Sequence, residues 1–363
     1  MNVHAPGVYL GMPEDEYHAD HSFSSSGVKN ITVSPLDFWV KSWMNPDYVE
    51  KERPALQLGK AYHKLVLEGR EAFNACYAVK PDKEDYPEAL DGSVALKAYC
   101  AEHGLPKSGT IAELCERISD HNPDVELWPL IDASFKEECG HLEHLSKKDW
   151  ADLKLVELVM RRSPSTANAF VNGVPEVSIF WVNNGTPMKA RIDYVKPMAL
   201  LDLKSFANQM DNEIVSAVAT DVARRRYYIQ PVVYTQGWNA MKALFKSKGD
   251  EIIQGDGDKD IIREALTNED KTRFFFVFLQ TGGVPNVVVR EFSEWETFQR
   301  SGASQNAYWY RGEETYMRGL RLYRSFMSEF GTGQPWIADF GNKPFQDIDF
   351  PAWMLNAPLE IAS

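Results

Sequence analysis

Three charged residues interrupt segments that otherwise read as buried strand. In "MALLDLKSFAN", Met198 to Asn208, the residues Ala199, Leu200, Leu201 and Leu203 are apolar, yet Asp202 and Lys204 stand among them two positions apart. Side chains at that spacing share one face of a strand. A buried charge without a partner is costly, so each needs the other or something more. One reading is a structural ion pair at a strand end, because D-x-K is a common triplet. The preceding segment offers a second. In "KARIDYVK", Asp193 sits among Ala190, Ile192, Tyr194 and Val195, and the short "KPM" connection returns the chain alongside. Asp193 and Asp202 then fall on neighbouring strands. Two adjacent carboxylates repel unless a cation joins them, and oxygen donors suit Mg²⁺ or Mn²⁺. A lysine beside such a cation can orient or deprotonate a water. That equipment fits hydrolysis of a phosphodiester.

The elements that must hold these residues follow from periodicity. Strands are expected at 176–183, 187–196 and 199–206, with "NNG" at 183–185 as a hairpin turn between the first two. Two more strands, 272–280 and 286–292, surround a "TGG" turn. Helices are expected at 151–163, 212–245 and 294–329. Residues 1–75 read as short helices. "SSSGVKNI" opens one with a serine N-cap, and "ALQLGKAYHKLVLEG" places Leu58, Ala61, Tyr62, Leu65 and Val66 at helical spacing before Gly69. Strands flanked by helices predict an α/β fold with a central mixed sheet. Residues 81–148 change composition and read as a helical insertion between an N-terminal part, 1–80, and the main core, 149–335; an irregular tail, 336–363, follows.

The chain has 363 residues, 44% of them hydrophobic, enough for one large core or two domains. No apolar run approaches the roughly 18 residues of a membrane span. The N-terminus lacks a basic start followed by an apolar stretch, so a cytoplasmic protein of a bacterium or phage-infected host is expected. Cys76, Cys100, Cys115 and Cys139 contain no CxxC pair and read as free structural thiols. A net charge of −13 argues against a surface coated in nucleic acid but leaves room for a local basic channel.

The ordered set resembles the PD-(D/E)xK nuclease superfamily, with Asp193 as the first acid and Asp202-Leu203-Lys204 as D-x-K. Ile192-Asp193 stands where the name has Pro-Asp. "YYIQPVVYTQ" carries Gln230 and Tyr234 four apart, like the QxxxY motif of RecB-like nucleases, with Arg226 one turn earlier. "GKAYHKL" carries His63 where that family has a metal-binding histidine. "FSSSGVKNITVSPLDFWV" is similar to the family's N-terminal segment, with Ser34-Pro35 in place of Cys-Pro. No cysteine follows Cys139, so no iron–sulfur cluster is expected. Over residues 7–75 and 150–330 the chain most resembles phage exonucleases of the exodeoxyribonuclease VIII (RecE) type. The resemblance implies a restriction-endonuclease-like core in which His63, Asp193, Asp202 and the Leu203 carbonyl hold Mg²⁺ or Mn²⁺. It implies that Lys204 positions or activates the attacking water and that Gln230 and Tyr234 orient the DNA strand or the lysine. It further implies a homo-oligomeric ring on duplex DNA ends that passes single strands to an annealing protein during recombination.

Other residues keep two readings. Glu176 is a further acid at the site or a solvated strand end. Arg224, Arg225 and Arg226 form a solvated face or bind DNA phosphate. Ser24 and Ser25 cap a helix or bind a terminal phosphate. Residues 94–120 resemble a SAP motif, with Leu96, Leu105, Leu114 and Ile118 as core and Lys97, Lys107 and Arg117 outward; DNA binding, protein docking and a structural role all fit. Cys139, His141 and His144 have poor zinc spacing and read as a charged helix. Two rival functions stand beside the exonuclease: a non-catalytic DNA-binding or assembly protein with a nuclease-like fold, and a structure-specific single-strand nuclease.

Overall fold

The computed structural model describes residues 2–49, 54–292 and 307–341, with backbone alone at 54–56. The start of the expected 294–329 helix and most of the expected irregular tail, 342–363, lie outside the described residues. Nine strands are present among these: β1 (Gly7–Leu10), β2 (Tyr77–Val79), β3 (Glu143–Leu145), β4 (Val174–Asn183), β5 (Thr186–Lys196), β6 (Ala199–Phe206), β7 (Ile253–Gly255), β8 (Arg273–Gln280) and β9 (Val287–Glu291). Seven form one mixed sheet in the order β7-β1-β4-β5-β6-β8-β9, and β2 pairs with β3 apart from it. The β6–β8 and β1–β7 pairs are parallel and the rest of the large sheet is antiparallel. The fold is therefore α/β, a mixed sheet flanked by helices.

Alternation along the strands builds two cores. Leu200 and Phe206 of β6, with Phe274, Phe276 and Phe278 of β8, face helices Ser25–Val33, Ile229–Lys248 and Ala307–Phe330. Leu201, Leu203, Val277 and Leu279 face the other way, onto Ala61 and Tyr62 of helix Pro54–His63 and Leu153 and Val156 of helix Lys147–Arg162. A sheet covered on both faces reads as near-continuous apolar sequence, so each of its charged residues stands out.

Several boundaries depart from the expected ones. The long helix expected at 212–245 is two, Ile214–Arg225 and Ile229–Lys248, broken where Arg226 adopts a left-handed φ of 56°. The helix expected at 151–163 begins at Lys147, where Ser146 and Asp149 form a reciprocal capping box. Strand β4 begins at Val174, which places Glu176 inside it rather than at its start. The N-terminal part is not all helical, since the four residues of β1 join the main sheet. The charged helix expected around His141 and His144 is broken: helix Trp128–Cys139 ends, and His144 lies in β3.

Between β2 and β3 run helices Gly92–Glu102, Ile111–His121 and Trp128–Cys139. Leu96, Cys100, Leu114, Cys115, Ile118 and Leu127 form an apolar cluster distinct from both sheet cores. Thr110 and Glu113 cap the second helix reciprocally. The Arg117 guanidinium folds back to donate to the carbonyls of Pro106 and Ser108.

Candidate active site

The sheet forks at the site. Strands β5 and β6 pair only from Tyr194↔Leu201 to Lys196↔Ala199, while β6 stays in register with β8 as far as Phe206↔Gln280. Past the fork, the freed edge of β5 takes up Phe23, whose amide donates to Pro187 O (2.8 Å) and whose carbonyl accepts from the Lys189 amide (3.0 Å). That contact fixes the start of helix Ser25–Val33. Inside the fork the Leu203 amide has lost its ladder partner on β5. It donates instead to Asp193 Oδ2 at 2.7 Å.

A change of alternation turns two acids to one side. Val174 and Val177 belong to the same apolar cluster although three residues apart, and so do Ile192 and Val195. Strict alternation would put each pair on opposite faces. The register Pro175↔Tyr194 and Val177↔Ile192 sets Glu176 opposite Asp193, where both strands change. Glu176 has a φ of 52°. Such backbone costs about 1–3 kcal/mol for a non-glycine residue and collects at functional sites. His63 approaches from above, as the last residue of helix Pro54–His63 before a single π-helical turn, Lys64–Glu68. One ligand atom from each of His63, Glu176 and Asp193 lies within 4.8 Å of the other two, and His63 Nδ1 is 3.7 Å from Asp193 Oδ2.

Asp202 stands a step aside from that trio, with none of its side chain exposed. Its Oδ2 pairs with the Lys204 ammonium and its Oδ1 accepts from Gln230 Nε2. Tyr234, one turn after Gln230, is buried beneath, beside Ser25. Gln230 and Tyr234 thus reach inward from one helix face, and Gln230 touches Asp202 rather than Lys204.

Burial, reinforced by the charge of Asp202, raises Asp193 well above the ordinary carboxylate range. Burial also raises Asp202, against the opposing pull of Lys204, and Glu176, against that of Arg191. Burial alone would lower Lys204, but the charges of Asp202 and Asp193 outweigh it and hold the ammonium above its usual value. His63 is pushed down to about 4, by burial first and then by Lys204, so its ring is neutral near pH 7; the Leu203 carbonyl lies beside it. Crowded buried acids with raised pKa values lack compensating charge. An imidazole nitrogen, two carboxylates and an adjacent carbonyl make a donor set that fits a divalent cation of the Mg²⁺ or Mn²⁺ class.

The remaining candidates are placed differently. Ser24 is an N-cap, accepting from the Gly27 amide at 3.2 Å. Arg225 pairs with Asp221 at 2.8 Å on its own helix, and the largely exposed Arg224 reaches the same carboxylate at 3.8 Å. Arg226, expected on the Gln230 face, lies in the break before that helix. Its guanidinium docks on helix Ser25–Val33, donating to Lys29 O (3.1 Å) and Thr32 Oγ1 (2.8 Å). Three site residues escape a reading of motifs. Arg191 holds Glu176 by its Nε and donates to Met12 O at 2.9 Å; its place two residues before Asp193 was the available signal. Tyr227 lies under the Lys204 ammonium. Lys29 shares that ring, and its spacing of four from Ser25 put both on one helix face.

No protein-family model matches the chain, and no curated protein matches it. Two chains of solved structure are similar. One, described as a candidate exonuclease from Eubacterium rectale, is 14% identical with a TM-score of 0.46, over 94% of this chain and 99% of that one. Among the described residues no helix is long and apolar enough to cross a membrane.

Proposed function

We propose that the protein is a divalent-cation-dependent nuclease that hydrolyses phosphodiester bonds in DNA. The observation that carries this reading is the fork: His63, Glu176 and Asp193 converge beside an Asp202–Lys204 pair, with raised acids and a retained ammonium. His63, Glu176, Asp193 and the Leu203 carbonyl would hold the cation, and Asp202 borders it. When bound, Mg²⁺ or Mn²⁺ supplies Lewis-acid stabilisation of phosphate charge and a water of lowered pKa. Lys204 stays protonated at neutral pH, so it acts as a donor that orients the attacking water and the phosphate oxygens. Asp202 fixes the ammonium, and Gln230 fixes Asp202. Arg191 holds Glu176 against the repulsion of Asp193.

The finer reading is an exonuclease on duplex ends, assembled as a ring and serving phage-type recombination with an annealing protein; sequence motifs support it. Incubation of end-labelled duplex with Mg²⁺, and with excess EDTA, tests the proposal. Labelled mononucleotides or short products are expected only with Mg²⁺. Undiminished cleavage in EDTA, or DNA binding with no cleavage under any divalent cation, would overturn it, the second outcome leaving a DNA-binding protein. Internal cuts in single strands would replace exonuclease with a structure-specific nuclease.

A further inference from the structure

Lys29 projects from helix Ser25–Val33, which the edge of β5 and the Arg226 guanidinium both hold in place. Its ammonium lies 5.0 Å from the centroid of the Tyr227 ring, and that of Lys204 lies 5.4 Å from the same centroid. Two cations therefore flank one ring beside Asp202. Their circumstances differ. Lys204 is paired with Asp202. Lys29 has no carboxylate or other hydrogen-bond acceptor within reach among the described residues.

A half-buried ammonium without an acceptor is costly. Burial and the neighbouring Lys204 push Lys29 down to about 8, so it still carries charge at pH 7. A ring face compensates such a cation only in part. The neighbourhood already contains the buried Asp202, yet Lys29 is not bonded to it; that carboxylate pairs with Lys204 and accepts from Gln230. What the ammonium lacks is an anionic oxygen supplied from outside.

We propose that Lys29 is a DNA-binding residue whose ammonium donates to a nonbridging oxygen of a backbone phosphate next to the one that Lys204 contacts. This rests on the reading of the site as a nuclease. A lysine is a point charge on a flexible stem, so it can follow a phosphate without demanding bidentate geometry. Phosphate contacts carry no base information, so the contribution is the same for every sequence.

The test compares the full-length wild type with Lys29→Gln, Lys29→Met and Lys29→Arg. Affinity for a fluorescein-labelled duplex is measured by anisotropy across a salt series, with Ca²⁺ replacing Mg²⁺ so that binding is read without cleavage. Lys29→Gln is expected to weaken binding roughly ten- to hundredfold, as befits loss of one charged hydrogen bond. The slope of log affinity against log salt should flatten by about 0.9, or about 0.7 if the bound phosphate belongs to a single strand. Lys29→Arg should restore most of the affinity, and Lys29→Met, which keeps the apolar stem, separates misfolding from loss of charge. Mn²⁺ binding measured by calorimetry without DNA should be unchanged. Unaltered DNA affinity and slope would overturn the proposal. So would equal loss of Mn²⁺ and DNA, which would make Lys29 a group that tunes the carboxylates. Loss of DNA affinity in a protein that cleaves nothing would keep Lys29 as a phosphate ligand while refuting the nuclease; cleavage with unchanged affinity would refute Lys29 alone.

Discussion

Asp202 and Lys204 are two residues apart and bonded to each other, yet the proposed chemistry gives them different tasks. Asp202 sets the electrostatics of the cation site, so Asp202→Asn should abolish cleavage and weaken Mn²⁺ binding. Lys204→Ala should abolish turnover with Mn²⁺ affinity largely kept. Calorimetry showing that Lys204→Ala loses the cation as badly as Asp202→Asn would reverse the assignment. Asp193 supports a second expectation, in pH. Its folded pKa lies above the unfolded value. The folded, metal-free protein therefore retains a proton that the unfolded chain has lost, and stability falls as pH rises from the ordinary carboxylate range toward the raised value. In the proposed site a cation would replace that proton. Relative to Asp193→Asn, the metal-free wild type should lose melting temperature as pH rises above the ordinary carboxylate range, and the rise induced by Mg²⁺ should grow in the same direction. A rise that is constant or shrinks with pH would mean that Asp193 is not a partner of the cation.

At the scale of elements, the break at Arg226 decides what the arginine run does. Arg226→Ala removes two hydrogen bonds between helices and should cost roughly 1–3 kcal/mol in chemical denaturation, whereas Arg224→Ala should stay within about 0.5 kcal/mol. If Arg224 and Arg225 also meet DNA phosphate, replacing both with alanine should flatten the salt slope by up to about 0.9 for each phosphate no longer neutralised. An unchanged slope would leave them as partners of Asp221 only. This break was hidden in the sequence because Arg226 carries no glycine-like signal for a left-handed turn; tertiary docking on helix Ser25–Val33 selects it. The three long strands β4, β5 and β6 were legible, since apolar runs with a hairpin turn leave little choice. Strands β1 and β7 were not, being 4 and 3 residues long and placed by pairing with distant segments, β1 with β4 and β7 with β1. Within the site, Asp193, Asp202 and Lys204 announced themselves as charges in apolar strands. The inward reach of Glu176 depended on a left-handed backbone that no period-2 pattern contains.

For the whole molecule, the main architectural question is the relation of residues 81–148 to the rest. Leu90 bonds across to residues 126 and 128 through backbone hydrogen bonds of 2.9 and 3.1 Å, closing the neck of the first two helices. Replacing residues 91–125 with a short glycine–serine turn should leave the sheet folded and Mg²⁺ binding intact, because the removed segment buries its own cluster. Circular dichroism and calorimetry check this. Loss of the cooperative transition would show that the sheet depends on the insertion.

The pairing of β2 with β3 has one more consequence. Tyr77–Val79 lies in parallel register with Glu143–Leu145, so the chain leaves at Val79 and re-enters at Glu143 on the adjacent strand, offset by the length of the pair. To the large sheet, everything between is a closed loop whose length adds only logarithmically to the entropic cost of folding. The pair works as a socket. A folded cargo whose own ends are close together can be plugged in there, a fluorescent reporter as readily as a helical module, and the geometry of the fork need not register the exchange.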